Sequence, residues 1–245
     1  MIVGRVVALW RYPIKSLLGE PLDRAWLTET GVEGDRGFAL RDAESGHVMS
    51  AKRFSRLLEA RARVVGRTIQ VTLPNGEELD TEDAETSQRI SAWLRRSVEL
   101  VRPETGEDRP VMTDEDGTYR GRAGSFFDSS PFHVVTTSTL ERLGELGPGL
   151  HFDARRFRPN VVLETMEPGF VEEEWIGQTL SLGGAEVEIT KPCSRCVITT
   201  HAQDDLLVER DVLRVVNREN DEHVGVYGLV RVAGGVSIGD DVTVS

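Results

Sequence analysis

Short runs of β-branched and aliphatic residues, cut at close intervals by glycine-centred turns, constrain the fold of this chain more tightly than any other feature. Ile2-Val3-Gly4-Arg5-Val6-Val7-Ala8-Leu9-Trp10 opens the series, and residues 22–27, 38–41, 64–65, 69–73, 132–135, 161–163, 180–182, 187–189 and 224–232 continue it. Such side chains suit a pleated, half-buried surface. Ser45-Gly46, Pro74-Asn75-Gly76, Gly183-Gly184 and Gly234-Gly235 supply the turns between runs.

Helical spacing is confined to a few places. Within residues 84–98, Ile90, Trp93, Leu94 and Val98 recur on one face, and within 209–218 Val212, Leu213, Val215 and Val216 do the same. Ser138-Thr139-Leu140-Glu141 reads as a capping box with Ser138 as the cap, and Asp153 is placed to cap a brief turn through Arg158. Many short strands with few helices, and no regular strand–helix alternation, predict a β-rich α+β protein centred on a β-barrel. Residues 103–124 are poor in apolar side chains and rich in Asp, Glu and Gly, so they read as a linker between two domains, residues 1–115 and 125–245.

The formal net charge of −12 argues against sequence-independent nucleic-acid binding, which needs Lys and Arg on phosphates. No apolar run approaches the roughly 18 to 20 residues of a membrane span. The opening Met1-Ile2-Val3-Gly4-Arg5 lacks the pattern of a signal peptide, so the cytoplasm is the expected location and a membrane partner is not expected. Against this acidic background the basic islands Arg155-Arg156-Phe157-Arg158 and Lys191/Arg195 suit a small anionic ligand, or else ion pairs with surface carboxylates.

Both cysteines of the chain lie in Lys191-Pro192-Cys193-Ser194-Arg195-Cys196-Val197-Ile198-Thr199-Thr200. Four readings of this pair are open. A structural zinc site would need a second ligand pair, and His47, His133, His151, His201 and His223 do not supply one at matching spacing. A thioredoxin-like pair would open a helix, whereas the β-branched residues after Cys196 favour a strand. Buried inert thiols, or a disulfide, are the structural alternative. The fourth is a single soft thiolate ligand to a metal whose other ligands come from a cofactor.

Four elements stand in order along the chain: Tyr12-Pro13-Ile14-Lys15-Ser16, Gly34-Asp35-Arg36-Gly37, Arg156-Phe157-Arg158-Pro159-Asn160 and the cysteine run. With Phe127-Asp128-Ser129-Ser130-Pro131, Val226-Tyr227-Gly228 and Ile238-Gly239-Asp240, the chain resembles the MOSC family with its N-terminal MOSC-associated barrel, the group that includes the amidoxime-reducing components. The resemblance implies a MOSC β-barrel domain interlocked with a smaller N-terminal β-rich domain, and a molybdenum–molybdopterin cofactor in the cleft between them. It also implies that Cys196, the second cysteine of the pair, is the catalytic residue and the protein's ligand to the metal, with Cys193 a supporting thiol.

By the same resemblance Lys15, Arg36 and Arg158 hold the anionic end of the cofactor. Ser16, Asn160, Ser194 and Arg195 add hydrogen bonds around it, and Thr137, Ser138 and Tyr227 contribute further. Neither zinc nor pyridoxal phosphate is expected. The implied activity is reduction of N-hydroxylated compounds, with electrons from a separate ferredoxin-, cytochrome b5- or flavin-reductase-type protein. The rival reading is a molybdenum-cofactor or sulfur-carrier protein in which Cys196 bears a persulfide or holds the cofactor transiently. Relatives of the amidoxime-reducing type often continue the Thr-Thr pair with Val-Asp; here His201-Ala202 follow.

Overall fold

Strand Ile2–Arg11 pairs antiparallel with Val161–Glu164 on one side and with Asp241–Val244 on the other, and this double pairing closes a barrel. The computed structural model describes residues 1–103, 111–114, 117–120 and 125–245. Around the seven-stranded barrel the order runs Val161–Glu164, Phe132–Thr136, His223–Val232, Ala185–Ser194, Thr179–Leu182, Asp241–Val244 and back to Ile2–Arg11. Among the neighbouring strands of the barrel only Phe132–Thr136 and Val161–Glu164 run parallel. A parallel pair needs a crossover, and helices Thr137–Leu146 and Ala154–Phe157 lie in that connection.

The sequence alternates as a barrel requires. Leu180 and Leu182 are fully buried while Thr179 and Ser181 are only partly so, and on Ala185–Ser194 the residues Ala185, Val187 and Ile189 point inward. They pack with Val6, Leu9, Phe132, Val134, Val161, Leu163, Val226 and Val242 in one apolar core. Each such side chain contributes about 1.5–3 kcal/mol by leaving water. A second cluster, Val135, Leu143, Phe152, Phe157, Val212, Val215, Val216 and Val224, seats helices Thr137–Leu146 and Asp211–Glu219 on the barrel.

The chain divides into two compact units that interleave along the sequence: residues 1–10, 21–33 and 130–245 form one, and residues 11–20 and 34–129 the other. The second unit holds a meander, Arg61–Val65, Thr68–Thr72 and Glu78–Asp80, a strand pair, Ala39–Asp42 with Val98–Val101, and helix Thr86–Leu94. Of the expected linker, Val111–Asp114 and Gly117–Arg120 pair as two short strands, and most of the remainder lies outside the described residues.

Four local expectations are corrected. The cap of helix Thr137–Leu146 is Thr136, whose hydroxyl accepts from the Thr139 amide at 3.1 Å, so Ser138 lies inside the helix. The first helix stops at Leu94 because Arg95 turns left-handed, and Val98 starts a strand. Val197–Thr200 is a 3-10 turn, not a strand, with the Thr199 and Thr200 hydroxyls bonded back to the carbonyls of Cys196 and Val197. Gly234 and Gly235 are strand residues facing Leu27 and Trp26; a Cβ on Gly234 would lie 2.1 Å from the Gly184 carbonyl oxygen, so glycine is required there by close backbone approach.

Candidate functional site

In the barrel unit, hairpin Thr179–Leu182/Ala185–Ser194 carries the chain to Cys193 and Cys196. Both thiols are free; Cys193 is buried and Cys196, at the start of the 3-10 turn, is half-buried. Between them Arg195 is fixed by its Nη1 on the Cys193 sulfur at 2.6 Å, its Nη2 on the Phe157 carbonyl at 2.8 Å, and its amide on the Glu222 carbonyl at 2.7 Å. Burial disfavours the charge, but Cys193, Tyr227 and Cys196 outweigh it and raise the Arg195 pKa above its ordinary value. Its Nε is buried and has no hydrogen-bond partner among the described residues.

The Arg-Phe-Arg-Pro-Asn element lies against this run. Asp153 caps Ala154–Phe157 by accepting from the Arg155 amide, and Arg158 ends the turn in the left-handed region at φ 53 while 92 % buried from solvent, its exposure being 8 %. Arg156, 1 % exposed, donates to the carbonyls of His151 and Leu207 at 2.9 Å and of Thr199 and His201 at 3.4 Å, and to Glu209 at 2.9 Å. It therefore pins the turn that follows Cys196. Burial pulls its pKa down against the pull of Glu209. The basic island includes this residue, but nothing in the sequence separates it from a solvated arginine.

The remaining expected residues of this unit divide. Asn160 is 1 % exposed and bonded to backbone, its Oδ1 accepting from the His133 amide at 3.2 Å and its Nδ2 donating to the Trp10 carbonyl at 3.4 Å, which ties three barrel strands together. Ser138 is buried and shares a 2.7 Å hydrogen bond with Thr165. Thr137 is the half-buried first residue of its helix. Ser194 is exposed at the end of its strand. Tyr227 sits on His223–Val232 opposite Lys191, whose ammonium lies 5.8 Å from the ring centre, with the His133 ring 5.5 Å away on another approach.

The second unit brings two other elements together. The Tyr12 and Pro13 carbonyls accept from the Arg36 and Phe38 amides, and the Lys15 amide donates to the Phe38 carbonyl. Lys15, 5 % exposed, donates to the Phe126 carbonyl at 3.1 Å and pairs with Asp128. Arg36 pairs with Asp35 and lies over the Tyr12 ring at 5.0 Å, while Asp35 accepts from the Tyr12 amide at 2.6 Å. Burial opposes the Arg36 charge, yet Asp35, Tyr12 and Asp128 raise its pKa. The Ser16 hydroxyl accepts from the Ala51 amide at 3.0 Å.

Ser16 and Arg36, at φ 67 and 50, share with Arg158 a left-handed backbone that favours glycine. Such conformations cost of order 1 kcal/mol or more and cluster where function holds them. Among the described residues no three His, Cys, Asp or Glu side chains are grouped to hold a metal ion. A metal bound at Cys196 would take its other ligands from a cofactor.

The comparison with protein families gives the class that the closed barrel fits: the chain belongs to the MOSC family. The MOSC domain model matches residues 121–243, and the MOSC N-terminal beta barrel domain model matches residues 3–106. Among curated proteins the chain is similar to mitochondrial amidoxime reducing component 2 of Macaca fascicularis, 25% identical over 98% of this chain and 83% of that protein. It is also similar to mitochondrial amidoxime-reducing component 1 of Homo sapiens, 26% identical over 85% of this chain and 69% of that one. A match to molybdenum cofactor sulfurase of Drosophila melanogaster, 25% identical, spans 76% of this chain but 26% of that protein. Among solved structures the YuaD protein of Bacillus subtilis shares the fold, with a TM-score of 0.51 at 12% identity over 99% of this chain and 95% of that one. No described helix is long and apolar enough to cross a membrane.

Proposed function

We propose that this chain is a cytoplasmic molybdenum-cofactor enzyme that reduces N-hydroxylated compounds with electrons from a separate donor protein, and that Cys196 is the protein's ligand to the metal. The observation that carries the reading is Arg195: a guanidinium locked on the Cys193 sulfur and the Phe157 carbonyl, one residue before the half-buried Cys196, with one buried N–H left open. An unsatisfied buried donor is costly, and an anionic pterin cofactor would offer it an acceptor. The relatives named for amidoxime reduction support the same reading.

In this proposal Arg158 and Arg195, with Lys15 and Arg36 from residues 1–115, supply fixed positive charge to the cofactor, since Arg forks and Lys ammonium groups suit phosphate. Ser16, Thr137, Ser138, Asn160, Ser194 and Tyr227 orient it or support the strands that do. Asn160 acts through the backbone it ties, and Cys193 positions Arg195. Bound molybdenum cofactor supplies two-electron oxygen-atom abstraction from an N–OH group. Arg156 keeps the turn after Cys196 in place, so that the thiol does not swing away.

Cys196→Ser in protein produced with ample molybdenum tests the proposal. The variant is expected to keep its fold by circular dichroism, to lose tightly held molybdenum and to lose amidoxime reduction. Full activity in the variant would overturn the assignment. The similarity to a cofactor sulfurase favours the rival carrier reading; sulfane sulfur on Cys196 of the wild-type protein, with no stoichiometric metal, would establish it instead.

A further inference from the structure

A groove of about 600 Å³ opens on the barrel unit between the 3-10 turn Val197–Thr200 and helix Asp211–Glu219. Its wall begins at Val197, the residue after Cys196. Val197, Val208 and Leu213 line it with apolar surface, and Val197 and Val208 are 40% and 58% exposed. Exposed aliphatic side chains on the wall of a concavity mark a place where an apolar body can leave water.

The rim is cationic. Arg210 and Arg214 both line the groove; Arg214 pairs with Asp211 at 2.7 Å, whereas Arg210 makes no ion pair or side-chain hydrogen bond among the described residues. In a chain with 41 acidic against 29 basic side chains, many other arginines hold a carboxylate. Asp211, the acid next to Arg210 in sequence, is already taken by Arg214. A guanidinium at the rim of an apolar hollow without an acidic partner complements a planar carboxylate.

We infer that this groove selects substrates: it takes the apolar ring of an N-hydroxylated carboxylic acid, with Arg210 receiving the carboxylate. The inference rests on the reductase reading, because that reading makes the neighbour of Val197 the reacting centre. Neutral or cationic N-hydroxylated compounds would forgo the Arg210 contact. Arg210 is a specificity residue here and has no part in holding the cofactor.

The test compares an aromatic amidoxime bearing a para-carboxylate with its methyl ester, on the purified full chain, by calorimetric binding and by kcat/KM. Wild type should prefer the acid, and Arg210→Gln should weaken acid binding about tenfold, the worth of one charge-assisted pair. The ester should change less than about twofold, and Leu213→Asp should weaken both. Arg210 is exposed, so its replacement leaves the fold in place. Selective binding without any reduction upholds the groove and sinks the reductase reading; reduction with equal loss, or no loss, for acid and ester in Arg210→Gln sinks the groove inference alone.

Discussion

Asp42→Asn should destabilise the protein by an amount that depends on pH in a calculable way. Asp42 closes the turn after Ala39–Asp42 by accepting from the Ser45 amide and hydroxyl at 2.7 Å, and it pairs with Arg96. Its side chain is 3% exposed, and the Arg96 hydrogen bond, opposed by burial and helped by Ser45, lowers its pKa from 3.8 to about 2. A depressed carboxyl pKa gives stability that is fully present above the unfolded value and is lost as pH falls through the folded one. The difference corresponds to about 2 kcal/mol at pH 7, nearly all of it still present at pH 5 and about half near pH 3. Urea unfolding of wild type and variant at pH 7, 5 and 3, followed by circular dichroism, reads this directly. A gap below about 0.5 kcal/mol at pH 7, or one that stays constant to pH 3, would refute the reasoning.

Arg156→Met should cost about 3 kcal/mol, because it leaves Glu209 without its buried cation and takes the donor from the Thr199, His201, His151 and Leu207 carbonyls, whereas Arg156→Lys should recover part of the loss in the same urea assay; equal stability of wild type and Met variant would remove Arg156 as the pin of the Cys196 turn. Glu172 is fully buried, with one oxygen accepting from Thr136 and Thr139 at 2.6 Å and the other unpartnered among the described residues. Burial raises its pKa against those hydrogen bonds, so its contribution is fully present below the unfolded value of 4.5 and falls as pH rises through the folded one. Glu172→Gln should therefore gain in Tm relative to wild type as pH rises from 5 to 8, and a flat difference would count against it.

Much of the barrel is written in local pattern. The alternation of Leu180, Leu182, Val187 and Ile189 about Gly183-Gly184 declares a hairpin, and the spacing of Val212, Val215 and Val216 declares the last helix. What escapes local reading depends on distant partners. Thr136 caps its helix in place of Ser138 because the chain enters from an extended strand two residues earlier than the capping box implies. Val197-Ile198-Thr199-Thr200 has strand propensity, yet Arg156 holds the Thr199 carbonyl and turns the segment into a 3-10 bend.

The candidate site rests on motif order, which proposes Lys15, Arg36, Arg158 and Cys196; the backbone adds what no motif displays, since Ser16, Arg36 and Arg158 all lie in left-handed conformations. Arg156 was hidden because a buried, fully bonded arginine and a solvated one look alike in a basic run. Asn160 shows the converse, since its side chain is engaged by backbone of strands far apart in sequence.

The closure of the barrel by Ile2–Arg11 also sets an order of events in folding. Arg5 bonds to Asp241 across a separation of 236 positions, and Ile2 faces Thr243. Residues 34–129 carry their own meander and helix and can organise while synthesis continues, but the seam cannot close until residues 241–244 have left the ribosome. Until then the edge of Ile2–Arg11 stands open to foreign strands, a period in which aggregation competes with assembly.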